Sequence, residues 1–275
     1  MNPIDLSSYF RRIRYEGPAR PDTKTLHALH RSHALAVPFE NLDVILDRGI
    51  SLKLGDIEAK IVGAHRGGWC FEQNGLFASV LEQIGFPVTR LAARVRFGTT
   101  RVLPRTHMIL LVHAEGQDWL ADVGYGGWGF LEPLPLSHNA QIRQGAWTFE
   151  LKESNGEWAL SCAECPAGPD QYVFTLAPQL DPDYEPANHY CATHPNSRFV
   201  KSLTVQLAGV EERRLIVNDQ FVRVSPNAEE RTQIDSERHL LSILRTEFGI
   251  QLPEDAGLLA KWRARAAHYE AMATS

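Results

Sequence analysis

Long apolar runs are missing from this 275-residue chain. No stretch approaches the ~18 consecutive apolar residues that a membrane-spanning helix needs. Met1 to Arg14 carries an aspartate, arginines and a tyrosine where a secretory signal would carry a hydrophobic core. Basic charge is not in surplus: 28 Lys and Arg stand against 33 Asp and Glu, a formal net charge of −5, so the electrostatic footprint of a nucleic-acid binder is lacking. The expected location is the cytoplasm, with neither membrane nor nucleic acid as partner, as a monomer or a homodimer. Cysteines are few: Cys70, Cys162, Cys165 and Cys191. With no sign of secretion, disulfides are not expected. Cys162-x-x-Cys165 has no second ligand pair at finger or ribbon spacing, since only Cys191 and His194 lie near it, and it does not open a helix after a strand. We therefore expect no metal site there and two packing thiols instead. Internal repeats and low-complexity tracts are also absent. The glycine-dense stretch Gly124 to Phe130 has the wrong spacing for a dinucleotide or phosphate-binding fingerprint, and no helix with a phosphate-binding lysine follows it.

What is present centres on Arg66-Gly67-Gly68-Trp69-Cys70-Phe71-Glu72-Gln73-Asn74. The two glycines let the backbone turn sharply and let a ligand come close. Beyond Cys70, the residues Phe77, Val80, Leu81 and Ile84 recur at helical steps, and Gly85 and Pro87 stop the pattern. Cys70 thus lies at a helix N-terminus, where the macrodipole favours an anion, the setting of a nucleophilic cysteine. A base and an orienting acid lie downstream. His107 opens a β-rich run through Val112, and Trp119 to Gly124 forms a second short strand. If Glu115-Gly116 is a two-residue hairpin turn, then His107 faces Gly124, and Asp122 is its diagonal neighbour on the same face, about 7–8 Å away at Cα. An imidazole held by a carboxylate can take a thiol proton and stabilise the resulting ion pair.

Residues 1 to about 86 read as mainly helical, with Leu6, Phe10 and Ile13 sharing one face and Thr23 to Ala36 forming a second helix capped by Asp22 or Thr23. His27, His30 and His33 share a face of that helix, expected to be solvated. Leu54 to Val62 is a short helix, and Pro38-Phe39-Glu40-Asn41 a turn. From Val88 the period changes to two, giving strands at Val88–Phe97, His107–Ala114, Trp119–Val123, Trp147–Lys152, Glu157–Cys162 and Gln171–Leu176. They suggest an antiparallel sheet or small barrel. The proline-rich stretch Pro178 to Pro195 reads as a connector. It leads to strands at Ser202–Leu207, Arg213–Val217 and Gln220–Val224 and helices at Ser236–Phe248 and Glu254–Tyr269.

Several of these motifs, in order, resemble the arylamine N-acetyltransferase family: Val37-Pro38-Phe39-Glu40-Asn41-Leu42, then Arg66 to Glu72, Thr106-His107, Asp122-Val123-Gly124-Tyr125-Gly126-Gly127, and Asn188-His189-Tyr190 through Pro195-Asn196-Ser197-Arg198-Phe199. The resemblance covers roughly the first two hundred residues and implies a triad of Cys70, His107 and Asp122. It implies acetyl-coenzyme A as co-substrate, with no tightly bound cofactor, and arylamines, hydrazines or arylhydroxylamines as acceptors. By the same resemblance Phe39, Val95, Tyr125, Phe130 and Phe199 line the acceptor pocket. Thr106, Gly126 and Gly127 lie near the pantetheine and phosphates of coenzyme A, Glu40 and Asn41 support the triad's surroundings, and Tyr125 replaces a phenylalanine seen in many members. The expected fold is α+β: a helical bundle (1–86) carrying Cys70, an antiparallel β-barrel (87–187) carrying His107 and Asp122, and an α/β lid (188–275), with a cysteine-protease-like triad at the bundle–barrel junction.

The expected reaction is ping-pong acetyl transfer through an acetyl-cysteine. A protease or transglutaminase shares the triad order, but the glycine-rich aromatic slot after Asp122 suits a small planar acceptor better than a peptide. A related amide synthase with a larger acyl donor, and a catalytically silent binding module of the same fold, are the alternatives.

Overall fold

The computed structural model describes residues 3–99, 101–137, 139–165 and 170–274. Helices α1 (Leu6–Ile13) and α2 (Thr23–Ala36) start where aspartates cap them: Asp5 accepts from the Ser8 N–H and Asp22 from the Thr25 N–H. A two-residue strand, β1 (Phe39–Glu40), and one-turn helices α3 (Leu42–Ile45) and α4 (Leu54–Glu58) follow, the last running into a π-turn at Ala59–Gly63. Helix α5 (Cys70–Ile84) is central to this bundle. Its Leu76, Phe77, Val80 and Leu81 are fully buried against Tyr9, Leu26 and Leu29, each such side chain contributing about 1.5–3 kcal/mol. Gly85 ends it in the left-handed region (φ 109°), its N–H reaching the carbonyls of Leu81 and Glu82.

Strands β2 (Val88–Val95), β3 (His107–Ala114), β4 (Gln117–Ala121), β5 (Leu134–Pro135), β6 (Ala140–Gln144), β7 (Trp147–Ser154), β8 (Glu157–Cys162) and β9 (Asp170–Pro178) form one antiparallel sheet in the order β5-β4-β3-β2-β9-β8-β7-β6. It curls into a nearly closed barrel around Trp147, Phe149, Tyr172 and Phe174. The β3–β4 register pairs Ala114 with Gln117 and Leu110 with Ala121, and both turn residues, Glu115 (φ 50°) and Gly116 (φ 81°), are left-handed as a type I′ hairpin requires.

Helices α6 (Asp181–Thr193) and α7 (Arg198–Lys201) lead to strands β10 (Thr204–Leu207), β11 (Arg213–Val217), β12 (Gln220–Ser225) and β13 (Ala228–Gln233), then to α8 (Glu237–Phe248) and α9 (Leu258–Thr274). This second sheet runs β1-β10-β11-β12-β13. One of its faces packs on α8 and α9 through Val205, Ile216, Leu240 and Leu244. Because β1 pairs with β10, Phe39 opposite Gln206, the N-terminal segment is stitched into the C-terminal sheet. Among the described residues no helix is long and apolar enough to cross a membrane.

Three local readings change. Most of the expected connector at 178–195 is helix α6: Pro182 sits in the first turn, where a missing N–H loses nothing, and the Asp183 carboxylate accepts from the Leu180 N–H at 2.8 Å. The expected turn at Phe39 contributes the edge strand β1. The histidine face of α2 is not solvated, since His30 and His33 are fully buried.

Candidate active site

Cys70 is the first residue of α5, and its position is set by the turn before it. A Cβ on Gly67 would lie 2.0 Å from the Pro38 carbonyl oxygen, so only glycine lets the two backbones exchange the bonds Gly68 N–H to Pro38 O (3.2 Å) and Glu40 N–H to Gly68 O (3.1 Å). The close approach that the sequence suggested for a ligand is here made by the protein's own chain. A buried charge network braces the same turn. Arg66 donates to Glu40 (2.7 and 3.0 Å) and to Asp43 (3.1 Å), while Lys60 bridges Asp43 (2.7 Å) and Glu72 (2.8 Å). The other Glu72 oxygen accepts from the Trp69 N–H at 3.0 Å, closing the first turn of α5.

His107 opens β3, and Asp122 follows the last residue of β4. The ring nitrogen Nε2 of His107 lies 2.7 Å from Asp122 Oδ2, so it donates to the carboxylate and leaves Nδ1 to the thiol. The Cys70 thiol adds to the interactions that favour a charged His107 ring, and its Sγ lies 3.6 Å from the Thr106 carbonyl oxygen. Burial disfavours a charged His107 ring and is the largest influence on it. The charge and hydrogen bond of Asp122, joined by Cys70, outweigh burial and raise its pKa to about 10. Asp122 is held low against the same burial by His107 first, then by Asn74 and the Gly124 N–H. At neutral pH the pair is an imidazolium and a carboxylate.

Asp122 is held by residues that were not assigned a role from sequence. Asn74, one helical turn after Cys70, donates to Asp122 Oδ1 (2.8 Å) and Met108 O (2.7 Å) and accepts from the Val123 N–H (2.9 Å). The i,i+4 spacing that puts Asn74 on the Cys70 face of α5 was the available signal. His30 accepts the Asp122 N–H at Nε2 (3.0 Å) and donates from Nδ1 to Leu131 O (2.9 Å). His33 lies between Tyr9 OH (2.8 Å) and Gln73 Oε1 (3.3 Å). Burial pulls His30 down to about 4 and, with help from Arg12, pulls His33 down to about 3. Both stay neutral, as their accepting and donating roles demand.

A cavity of about 520 Å³ opens onto this group, with Cys70, His107, Phe39, Val95, Thr106, Tyr125 and Phe199 on its wall. Seven of the eleven residues singled out from sequence therefore meet there. Asp122 stands behind His107. Phe130 lies apart, buried and stacked on His30 at 5.2 Å. Gly126 and Gly127 are not on this wall: added Cβ atoms would meet Gln206 Oε1 at 2.5 Å and Gln206 Cβ at 3.3 Å, so they make room for the C-terminal sheet. Tyr125 packs edge-on to His107 (ring centroids 5.1 Å) and donates to Gln171 O at 3.0 Å. Tyr172 packs on the same imidazole at 5.1 Å. Asn41 binds Phe199 O, Ser202 O and the Thr204 N–H rather than the triad itself.

Known proteins share both the sequence and the fold. A family model described as N-acetyltransferase matches residues 22–256. The arylamine N-acetyltransferase of Escherichia coli K12 is 36% identical over 253 residues, covering 91% of this chain and 90% of that protein. The Salmonella typhimurium protein named arylamine N-acetyltransferase / N-hydroxyarylamine O-acetyltransferase is 34% identical, over 89% and 88% of the two chains. Among solved structures, a Mycobacterium smegmatis arylamine N-acetyltransferase superposes with a TM-score of 0.88 at 32% identity over 96% of this chain and 99% of its own. A Mycobacterium marinum arylamine N-acetyltransferase solved in complex with CoA superposes with a TM-score of 0.86 at 26% identity, over 96% and 99%.

Proposed function

The chain belongs to the arylamine N-acetyltransferase family, and from that premise we propose that it moves an acetyl group from acetyl-coenzyme A to an arylamine, hydrazine or arylhydroxylamine through an acetyl-Cys70 intermediate. It is an acetyltransferase enzyme, with coenzyme A chemistry in the family. The observation that supports the mechanism is that Cys70 and His107 share the wall of the 520 Å³ cavity, with Asp122 hydrogen-bonded behind His107 at 2.7 Å.

In the resting enzyme His107 already holds the proton of Cys70, and the thiolate attacks the acetyl carbonyl of the thioester. The carbonyl oxygen becomes an oxyanion, for which the Cys70 N–H at the start of α5 is a ready donor. Collapse expels coenzyme A thiolate, which His107 protonates. An amine bound between Phe39, Phe199 and Tyr125 then attacks the acetyl-cysteine and gives its proton to His107 as the thiolate returns. Asp122 keeps the His107 Nε2–H directed toward itself, so that Nδ1 always faces sulfur. Phe39 lies 5.6 Å from Phe199 between ring centroids, and such a pair suits a flat aromatic acceptor.

Exchange of label between acetyl-coenzyme A and free coenzyme A, with no acceptor present, tests this reading. A ping-pong route predicts exchange that disappears in Cys70→Ala. Direct transfer in a ternary complex predicts none in either protein.

A further inference from the structure

Arg213 is a fully buried cation that forms no salt bridge among the described residues. It lies on β11 with no solvent exposure. Its guanidinium sits 4.0 Å from the Trp147 ring centroid, 5.6 Å from that of Trp128 and 5.9 Å from that of Phe149. Its Nη1 donates to Gly127 O and, at 2.9 Å, to Gly129 O, while Nε and Nη2 find no partner among the described residues. The neighbouring Glu164 carboxylate is occupied by the Thr148 N–H (2.7 Å) and hydroxyl (2.9 Å). Taking an arginine out of water into such a place costs several kcal/mol, and aromatic faces return only part of that. A methionine or leucine would fill the same cage at lower cost. What an apolar side chain cannot do is hold two carbonyls of the glycine-rich loop that runs from Asp122 to Phe130.

That loop supplies Gly124, Tyr125 and Trp128 to the cavity wall. It is pinned on one side by Gln206 of β10, whose Oε1 accepts the Gly127 N–H at 3.1 Å, and on the other by Arg213 of β11. Both pins come from the C-terminal sheet, and both act on glycines whose backbone has no side chain to fix it.

We propose that Arg213 is a positioning residue for acetyl transfer: anchored in its aromatic cage, it holds the Gly127 and Gly129 carbonyls and so sets the place of Tyr125 and Trp128 against the triad. Its effect on turnover rests on the acetyl-transfer reading above. A purely structural arginine would lower stability and leave the kinetics of the folded fraction alone. A positioning arginine separates the two.

The test compares Arg213→Met and Arg213→Lys with the wild type by thermal melting, by kcat/KM for acetyl-coenzyme A with an arylamine acceptor, and by the rate of Cys70 alkylation with iodoacetamide. We expect Arg213→Met to melt at or above the wild-type temperature and to lose roughly 10- to 100-fold in kcat/KM, the range that a displaced active-site wall brings. Arg213→Lys, a shorter cation still able to donate, should recover part of that loss. Alkylation should change far less than turnover, because the triad is held by Asn74 and His30. Wild-type kinetics in Arg213→Met would overturn the proposal. So would equal losses in the Lys and Met variants, or failure of both to fold, since the role would then be volume or stability alone. If the wild type itself does not turn over acetyl-coenzyme A, the acetyl-transfer reading fails separately.

Discussion

Gly124→Ala puts a single methyl group between the Cys70 helix and the loop that carries Asp122. An added Cβ would lie 2.7 Å from Cys70 Cα, 2.8 Å from Asn74 Nδ2 and 3.1 Å from Cys70 O. Carbon atoms settle at about 3.5–4.0 Å, so α5 and the 122–124 segment must separate by about 1 Å. No rotamer change relieves this, because two of the three contacts are to the backbone of Cys70. The bonds that would stretch are Val123 N–H to Asn74 Oδ1, Asn74 Nδ2 to Asp122 Oδ1, and Gly124 N–H to Asp122 Oδ1, now 2.9, 2.8 and 3.0 Å. Overpacking of this kind costs about 1–3 kcal/mol. Misplacing the thiol by that distance from its base should lower kcat/KM by about 100-fold. Thermal melting and steady-state acetyl transfer, measured on the same preparation, check both numbers. Unchanged melting with kcat/KM within about twofold of wild type would refute the claim that this contact sets the Cys70–His107–Asp122 spacing.

Stability should fall in mild acid through the buried histidines. His30 and His33 stay neutral in the fold down to about 4 and about 3, while the unfolded chain protonates them near 6.5. Between those values the unfolded state binds more protons, so each histidine removes up to ~1.4 kcal/mol of stability per pH unit on descending below 6.5. His107, raised to about 10, acts oppositely: its contribution is complete below 6.5 and is lost as pH rises toward 10. Urea unfolding at pH 5, 7 and 9 should therefore show a maximum near neutrality, and a flat profile would contradict these assignments. Arg66→Met should lower stability by about 3–5 kcal/mol, because it leaves Glu40 and Asp43 buried without their partner. A melting temperature unchanged from wild type would show that Lys60 alone neutralises the pair.

The placement of Cys70, His107 and Asp122 was legible because these residues are local in the right way. Cys70 sits at a helix start that its own glycines and Gly85 delimit, and His107 and Asp122 share one hairpin whose two-residue turn fixes the register. Short-range chemistry determines such elements, so sequence reaches them. The histidines of α2 were misread because helical spacing shows that His27, His30 and His33 share a face but not what covers it. The cover is Phe77, Phe130 and Leu131, supplied by segments 40 to 100 residues away. Strand β13 passed unseen for a related reason. Ala228–Gln233 is wholly exposed and charged, as an edge strand that resists further pairing should be, so no alternation marks it. Helix α6 was hidden by its prolines: Pro182 is tolerated by its place in the first turn, while Pro186 lies inside the helix, where proline is ordinarily a breaker. Arg213 gave no signal at all: in sequence it opens an ordinary strand, and only the folded chain surrounds it with Trp128, Trp147 and Phe149. The family resemblance carried the pocket residues in part. Phe39, Val95, Tyr125 and Phe199 reach the cavity wall, whereas Phe130, Gly126 and Gly127 lie in the layer that shapes it.

The most direct test is the intact mass of the protein after mixing with acetyl-coenzyme A and no acceptor. A gain of one acetyl group, absent in Cys70→Ala and discharged by adding an arylamine, is the result that a Cys70–His107–Asp122 acetyltransferase must give. An unmodified mass under turnover-competent conditions, or an acetyl group that persists in Cys70→Ala, would contradict it.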